Sequence, residues 1–317
     1  MKNIGFPISD KHNENRRAII PKDLINISNV SCIYIEQGYG EVIGYSDEDY
    51  RQAGANISTR SEVLKKDIIC DPKIGDALYL KELKNQTIFG WVHAVQNRDI
   101  TDILINNKLS VYAWEDMFCQ GRHVFWRNNE IAGEAAIVHA YTTHGLFPYN
   151  TKVALLGKGN IARGALKILT MMGADVTVYD RRTESLFRKE SNKYDVLVNA
   201  ILWDVNRNDH IIYKEDLNNM KKGSLIIDIS CDRNGGIETS VPTTLDEPIY
   251  YINNVAHYAV DHTPTLFYKT ISENLSETIT SYLNNLIENK HNDTLNDALI
   301  VSKGEVIDQR INTFQNR

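Results

Sequence analysis

Apolar residues along the chain fall into two spacings. Short runs rich in β-branched and aromatic residues alternate with longer stretches in which apolar positions recur every three to four residues. "NIGFPI" (3–8), "SCIYIEQ" (31–37), "DIICDP" (67–72), "TIFGWVHAV" (87–95) and "LSVYAWE" (109–115) read as strands, and "SDEDYRQAG" (46–54) and "ITDILINNK" (100–108) as helices. A second series of the same kind follows: strand "KVALLG" (152–157), a helix from about Ile161, strands "DVTVYD" (175–180) and "YDVLVNAIL" (194–202), helix "KEDLNNM" (214–220), and strands "SLIIDIS" (224–230) and "PIYYINN" (248–254).

Such alternation predicts an α/β fold: two doubly wound Rossmann-like domains with a cleft between them, joined by a helix from about Ile131 to His144. The expected division is residues 1–128 plus 280–317 for one domain and 129–279 for the other. The amphipathic segment "SENLSETITSYLNNLIENK" (272–290) is expected as a helix packing back across that boundary, and residues from about Thr313 as a frayed tail.

Bulk properties narrow the class without naming a function. With 317 residues, 42% of them hydrophobic and 24% charged, the chain has the makeup of an ordinary globular protein. The net charge of −6, with no basic run interleaved with aromatics, argues against a nucleic-acid partner. No apolar run approaches the ~20 residues of a membrane span, and the opening residues lack the apolar core of a signal peptide, so a cytoplasmic protein without membrane contact is expected. Cys32, Cys70, Cys119 and Cys231 have no short paired spacing, which predicts buried thiols and neither a disulfide framework nor a metal site.

The chemistry begins at "VALLGKGNIARGALKILTMMGADVTVYDRRTES" (153–185). A buried-strand pattern runs into Gly157 and Gly159, Ala162 stands at the third glycine position, and a helix follows directly. A Cβ at the glycines would block a tight turn and the approach of backbone to a pyrophosphate, which then sits on the helix N-terminus at Asn160 and Ile161. Asp180 ends the second strand about 20 residues on, where a carboxylate accepts hydrogen bonds from the ribose hydroxyls of NAD. Arg181 and Arg182 follow at once, and guanidinium forks suit the 2′-phosphate of NADP. The reading favours NADP (NADPH); the alternative is a solvated turn in which Asp180 caps the next helix.

The wider pattern resembles the alanine dehydrogenase family, with the proton-pumping transhydrogenase domain and saccharopine dehydrogenase among its relatives. "NENR" (13–16), "QGYGEVIGYSDEDYRQAGA", "DPK", "FGWVHA", "IAGEAA", the glycine loop, "DISCDRNGGIETSVPTTLDEP" and "VDHTP" appear in the family's order and cover nearly the whole chain. The short length, the double arginine and "VDHTP" look most like those members that condense pyruvate with the side-chain amine of ornithine. The resemblance implies that Arg16 holds the oxo-acid carboxylate and that Lys73 lies beside the substrate carbonyl. It also implies that His93 is the general acid or base and Asp232 the second catalytic residue, with Asp228 as Asp232's structural competitor.

On residue type alone Lys73 is a solvated loop lysine and His93 a satisfied core histidine, although a strand end and a near-neutral pKa suit proton transfer. Arg17 competes with Arg16, as an extra anion contact or merely surface. Asn129 matches a serine near the cofactor, and Val260, Asp261 and His262 match the loop around the nicotinamide. Where the family has an asparagine–methionine pair this chain has Asp261 and His262, which suits recognition of an amine larger than ammonia.

The implied reaction is NADPH-dependent reductive condensation of pyruvate with ornithine or lysine, in a homo-oligomer, dimer or tetramer. Alanine dehydrogenase, lysine-forming saccharopine dehydrogenase and a non-catalytic cofactor-binding protein are the alternatives.

Overall fold

The computed structural model describes residues 1–204, 207–232 and 234–317. Contacts divide the chain into two compact units, Met1–Trp126 with Tyr268–Arg317, and Arg127–Phe267.

The first unit begins with six strands, β1 (Ile4–Phe6), β2 (Ile33–Glu36), β3 (Asn56–Ser58), β4 (Ile68–Cys70), β5 (Thr87–Gly90) and β6 (Ser110–Ala113). They pair in parallel in the order β3-β2-β1-β4-β5-β6. The order reverses between β1 and β4, which makes the carboxyl ends of these two strands the switch point where ligands of open α/β sheets bind. Between the strands lie α1 (Asp47–Gln52), α2 (Arg60–Val63) and α3 (Arg98–Asn106), and a hairpin of β7 (Phe118–Cys119) and β8 (Arg122–His123) follows β6. Ser46 opens α1 with a reciprocal cap against Asp49, and Asn97 caps α3 through the Ile100 N–H, so both helices start where a short polar side chain meets the first orphan donors.

The second unit opens with α4 (Trp126–His144), five residues earlier than the apolar spacing suggests. It continues with β9 (Lys152–Leu156), α5 (Asn160–Met171), β10 (Asp175–Tyr179), α6 (Glu184–Glu190), β11 (Val196–Asn199), β12 (Leu225–Asp228), β13 (Ile249–Ile252) and β14 (Val255–Tyr258). The sheet order is β10-β9-β11-β12-β14-β13, parallel except for the antiparallel edge strand β13. Strand alternation builds two cores: Val153, Leu155, Val196, Val198 and Ile227 pack under α4 and α5, while Ala154, Leu156, Leu197 and Ile226 pack with Phe187, Trp203 and Ile212 on the other face. Sequence periodicity does not separate β14 from β13. They are joined by Asn253 and Asn254, both at positive φ, a two-residue turn of the kind that lets a strand fold directly back on itself. "KEDLNNM" forms a 3₁₀ turn, Lys214–Asn219, rather than an α-helix.

The chain then returns to the first unit through α7 (Tyr268–Glu288), α8 (Asp293–Asp297), β15 (Leu299–Ser302), β16 (Glu305–Val306) and α9 (Gln309–Gln315). The second crossing therefore lies before α7 and not at 279/280. α7 buries Ile271, Leu275, Ile279 and Leu283, and its Ser276 hydroxyl accepts from the Ile20 N–H. β15 pairs antiparallel with β6, and β16 with β15. The tail is docked, not frayed: Gln315 is buried, and its amide donates to Ala94 O at 2.8 Å, Val95 O at 3.1 Å and Thr101 Oγ1 at 3.0 Å. Cys32 and Cys70 are buried, Cys231 is half-buried, and Cys119 departs from expectation by being exposed in the β7–β8 hairpin. Among the described residues no helix is long and apolar enough to cross a membrane.

Candidate active site

In the first unit the carboxyl edge of the parallel sheet gathers the sequence-predicted groups. Arg16 follows β1, Lys73 follows β4 and His93 follows β5. Arg16 is 3% exposed and lies over the Trp91 ring at 5.3 Å. Glu14 holds it: the Glu14 Oε1 accepts from Arg16 Nε at 2.8 Å and from the Arg16 backbone N–H at 2.9 Å, and Oε2 accepts from Nη2 at 2.6 Å. Burial pushes the Glu14 carboxyl up, but the Arg16 pair, with Lys73 nearby, outweighs it and holds the group below its ordinary value.

Arg17 is not a surface residue. It is buried, its Nε donates to Tyr39 O, its Nη1 donates to Arg16 O at 3.0 Å, and its backbone N–H donates to Ser272 Oγ of α7 at 2.7 Å.

Lys73 is buried, which sets it apart from a solvated loop lysine. Its Nζ is 3.5 Å from Asp76 Oδ2, and its backbone N–H donates to Asp71 Oδ1 at 2.9 Å. Lys11 reaches the same Asp76 oxygen at 3.2 Å. Burial alone would raise Asp76, yet Lys73 and Lys11, with a smaller contribution from His93, hold it below its usual range. Asp71 goes the other way: complete burial pushes it up to about 6 despite hydrogen bonds from the Lys73 N–H and the Tyr79 hydroxyl.

His93 is exposed and has φ +54°. A non-glycine residue persists in that left-handed region only when its surroundings fix it. The fixing group is Glu115, half-buried after β6, whose carboxylate accepts the His93 N–H at 2.6 Å and the Val92 N–H at 3.3 Å. Burial raises the pKa of Glu115 against those bonds. Glu115 escapes sequence reasoning because its partners are backbone groups of a neighbouring strand end; the one signal was an acid directly after an apolar strand.

In the second unit the glycine loop is formed as expected. Gly157 has φ +133°, and a Cβ there would lie 2.6 Å from Ala200 O. A Cβ at Gly159 would meet nothing within 4 Å, so the loop leaves room for a pyrophosphate to approach the backbone where α5 begins at Asn160 and Ile161. A pocket of about 290 Å³, at the small end for ligand sites, is lined by Gly157–Gly159, Asp180–Arg182 and Ala200–Leu202, the segments following β9, β10 and β11. Asp180 does cap the turn at 181–183, accepting the Arg182 N–H at 3.0 Å. Lys158, which the sequence reading passed over, sits 2.7 Å from Asp180 Oδ2; chiefly through that bond Asp180 is held at about 2.

Asp232 follows β12 on the same carboxyl edge. Burial, then the Asp228 carboxylate, push it up to about 6, while the Trp203 N–H, just beyond the pocket wall, pulls the other way. Asp228 is structural, 2% exposed and bonded to Asn199 Nδ2 at 2.9 Å and the Cys231 N–H at 3.3 Å. The Cys231 Sγ lies 3.0 Å from Asp228 O and 3.4 Å from Val260 O, which sets the Asp232 loop beside the Val260–Thr263 loop. In that loop His262 is buried, with Nδ1 2.5 Å from Asp261 Oδ1. Asn129 lies inside α4, away from any strand end in sequence, with its Oδ1 3.3 Å from Asn128 Nδ2.

Within each unit, then, the chemistry-bearing residues converge on the carboxyl edge of a doubly wound sheet, and the second unit has the glycine cradle of a dinucleotide-binding protein. Comparison with known proteins agrees. The family described as "Alanine dehydrogenase/PNT, N-terminal domain" matches residues 6–124, and "Alanine dehydrogenase/PNT, C-terminal domain" matches residues 181–311. The chain is similar to the N(5)-(carboxyethyl)ornithine synthase of Lactococcus lactis subsp. lactis, 31% identical over 294 residues that cover 86% of this chain and 92% of that one. It is likewise similar to a Clostridium botulinum protein of the same name, 32% identical over 88% and 93% of the two chains. Among solved structures an L-alanine dehydrogenase superposes with a TM-score of 0.84 at 21% identity, covering 99% of both chains. The chain belongs to the alanine dehydrogenase/PNT family, and is therefore an oxidoreductase of the amino acid dehydrogenase type that uses a nicotinamide dinucleotide.

Proposed function

We propose that the protein catalyses reductive condensation of pyruvate with the side-chain amine of ornithine, or of lysine, using NADPH and forming N(5)-(carboxyethyl)ornithine from the ornithine. The observation that carries this reading is the similarity, above 30% identity over nine-tenths of their length, to enzymes named for that product. The Arg16, Lys73 and His93 cluster supplies chemistry suited to it.

Arg16, fixed by Glu14, grips the pyruvate carboxylate, because a buried guanidinium offers that anion several donors in a fixed plane. Lys73 stabilises charge on the keto oxygen as the neutral amine attacks the keto carbon. The C–N bond forms, and His93 donates the proton that lets the carbinolamine hydroxyl leave as water. NADPH held at the glycine loop would supply the hydride that reduces the resulting iminium carbon to a secondary amine. Asp232, raised to about 6 by burial, exchanges protons near neutral pH on the nucleotide-binding unit. Gly157, Gly159, Asn160 and Ile161 hold the pyrophosphate, and Asp180, Arg181 and Arg182 surround the adenosine ribose. Asn129 and the Val260–His262 loop serve the nicotinamide end, and Asp261 with His262 adds recognition of the larger amine.

The test follows oxidation of NADPH and of NADH with pyruvate plus ornithine, lysine or ammonium. Turnover with ornithine or lysine, and little with ammonium, is the expected result. Rapid turnover with ammonium and NADH alone would replace this reading with alanine dehydrogenase.

A further inference from the structure

The glycine loop carries a lysine between its two glycines, and its position changes what Asp180 can do. Lys158 Nζ lies 2.7 Å from Asp180 Oδ2, although the lysine side chain is 63% exposed and so not driven there by packing. The other carboxylate oxygen, Oδ1, accepts the Arg182 N–H at 3.0 Å and faces the Thr183 hydroxyl at 3.4 Å. Both oxygens that would receive the 2′- and 3′-hydroxyls of a free ribose are thus engaged inside the loop. Arg181 points elsewhere, with Nη2 donating to Leu202 O at 2.7 Å, so its guanidinium spans the pocket from the segment after β10 to the segment after β11. Arg182 stays at the rim, 89% exposed and 3.5 Å from Asp180 Oδ2.

We infer that Lys158 selects the cofactor: it is the counter-ion that holds Asp180 away from ribose hydroxyls, and with Arg182 it receives the 2′-phosphate of NADPH. This deepens the NADPH reading above and rests on it. A phosphate monoester carries about −1.5 to −2 charge against −1 for the carboxylate, so it competes for the ammonium group on favourable terms. An exposed lysine–carboxylate pair is weak and rearranges at little cost. Lysine binds phosphate as a point charge without a fixed approach angle, which suits a side chain that must serve two anions in turn. Arg181, tethered to Leu202 O, instead presents a flat face suited to the adenine ring. The sequence reading gave the phosphate to both arginines; the geometry divides the work between Lys158 and Arg182.

The experiment compares wild type with Lys158→Ala, Lys158→Gln and Asp180→Asn by two readouts. The first is the ratio of kcat/KM for NADPH over NADH with pyruvate and ornithine. The second, independent of turnover, is calorimetric binding of 2′,5′-ADP and of 5′-AMP. Loss of one charge-assisted phosphate contact predicts that both lysine variants lower the NADPH:NADH ratio and the 2′,5′-ADP affinity about tenfold or more. 5′-AMP should weaken by less than about threefold, because it lacks the group that Lys158 receives. Asp180→Asn should leave kcat/KM for NADH within about threefold of wild type, because a carboxylate already engaged by Lys158 and the Arg182 N–H contributes little to ribose binding.

If wild type favours NADPH and 2′,5′-ADP but the lysine variants keep both preferences, the assignment of Lys158 is wrong and the NADPH reading stands. Equal weakening of both nucleotides would make Lys158 a pyrophosphate contact and also overturn the inference. An Asp180→Asn enzyme that loses NADH about a hundredfold would show Asp180 to be a ribose reader. A wild type with no preference for NADPH or for 2′,5′-ADP would remove the NADPH reading and this inference together.

Discussion

Glu14→Ala is the most informative single change in the first unit, because it removes one partner of a buried ion pair and leaves the other in place. Arg16 is 3% exposed, and the Glu14 side chain is completely covered. Three of its bonds, 2.6–2.9 Å long, run from Arg16 to the two Glu14 oxygens. Deleting one member of such a pair costs about 3–5 kcal/mol, most of it the desolvation of the charge left behind. For a domain of this size that lowers Tm by roughly 10 °C.

Because the folded Glu14 pKa lies below the unfolded value, its contribution is complete above the unfolded carboxylate pKa of about 4.3 and fades as pH falls through the folded value. The gap between wild type and variant should therefore narrow below about pH 4. Glu14→Gln keeps the volume and one acceptor, so it should fall between the two. Glu14→Leu combined with Arg16→Met replaces the pair by apolar groups of similar size and should recover most of the stability while binding pyruvate poorly. Urea melts followed by circular dichroism, with the pyruvate KM measured on each folded variant, give the numbers. A Glu14→Ala protein within about 1 kcal/mol of wild type would refute the claim that this pair is buried and dry.

Three further changes test other parts of the structure. Asp71→Asn removes a carboxyl whose folded pKa is raised to about 6, so wild-type stability from this group is complete below about pH 4 and is lost as pH rises through 6. The variant should lack that loss, worth about 3 kcal/mol, and parallel curves of unfolding free energy from pH 4 to 7 would count against the burial of Asp71. Glu115→Ala strips the acceptor from the His93 and Val92 N–H groups and should lower kcat roughly 10- to 100-fold with a smaller change in nucleotide affinity, whereas Glu115→Gln should recover part of the rate; unchanged kcat in the alanine variant would show that His93 holds its φ of +54° without help. Gly157→Ala forces a Cβ to 2.6 Å from Ala200 O at a positive φ and should weaken both nucleotides at least tenfold by calorimetry; retained binding would mean that the turn can relax.

Much of the fold was legible because its signals are local. Apolar runs marked β1, β2, β4, β5 and β6 in the first unit, and strand–glycine–helix chemistry marked β9 and α5 in the second, since a doubly buried strand and a phosphate-binding turn each impose composition on neighbouring residues. β14 was hidden beside β13 because "YYINNVAHY" carries no glycine or proline to punctuate it, and the Asn253–Asn254 turn reads as loop polarity. The docked tail was hidden because Gln315 looks like a surface residue until its amide is seen to bridge Ala94, Val95 and Thr101, more than two hundred residues back in sequence.

By itself the sequence determined the class of the protein, the dinucleotide loop and the order of the charged residues along the chain, because each depends on residues a few positions apart. Tertiary structure alone decided what those charges do. Glu14 and Arg16 are two residues apart in sequence, but burial makes them a fixed pair; Lys73 is buried while Lys158 is exposed; Arg16 faces Trp91 while Arg17 is consumed by Tyr39 and Ser272. Asp180 reads as a ribose ligand from its position, and only the approach of Lys158 across the loop engages its carboxylate. The physical reason is common to all of them: the energy of a charge depends on its solvation and on partners within a few ångströms, and both are set by parts of the chain that local sequence does not bring together.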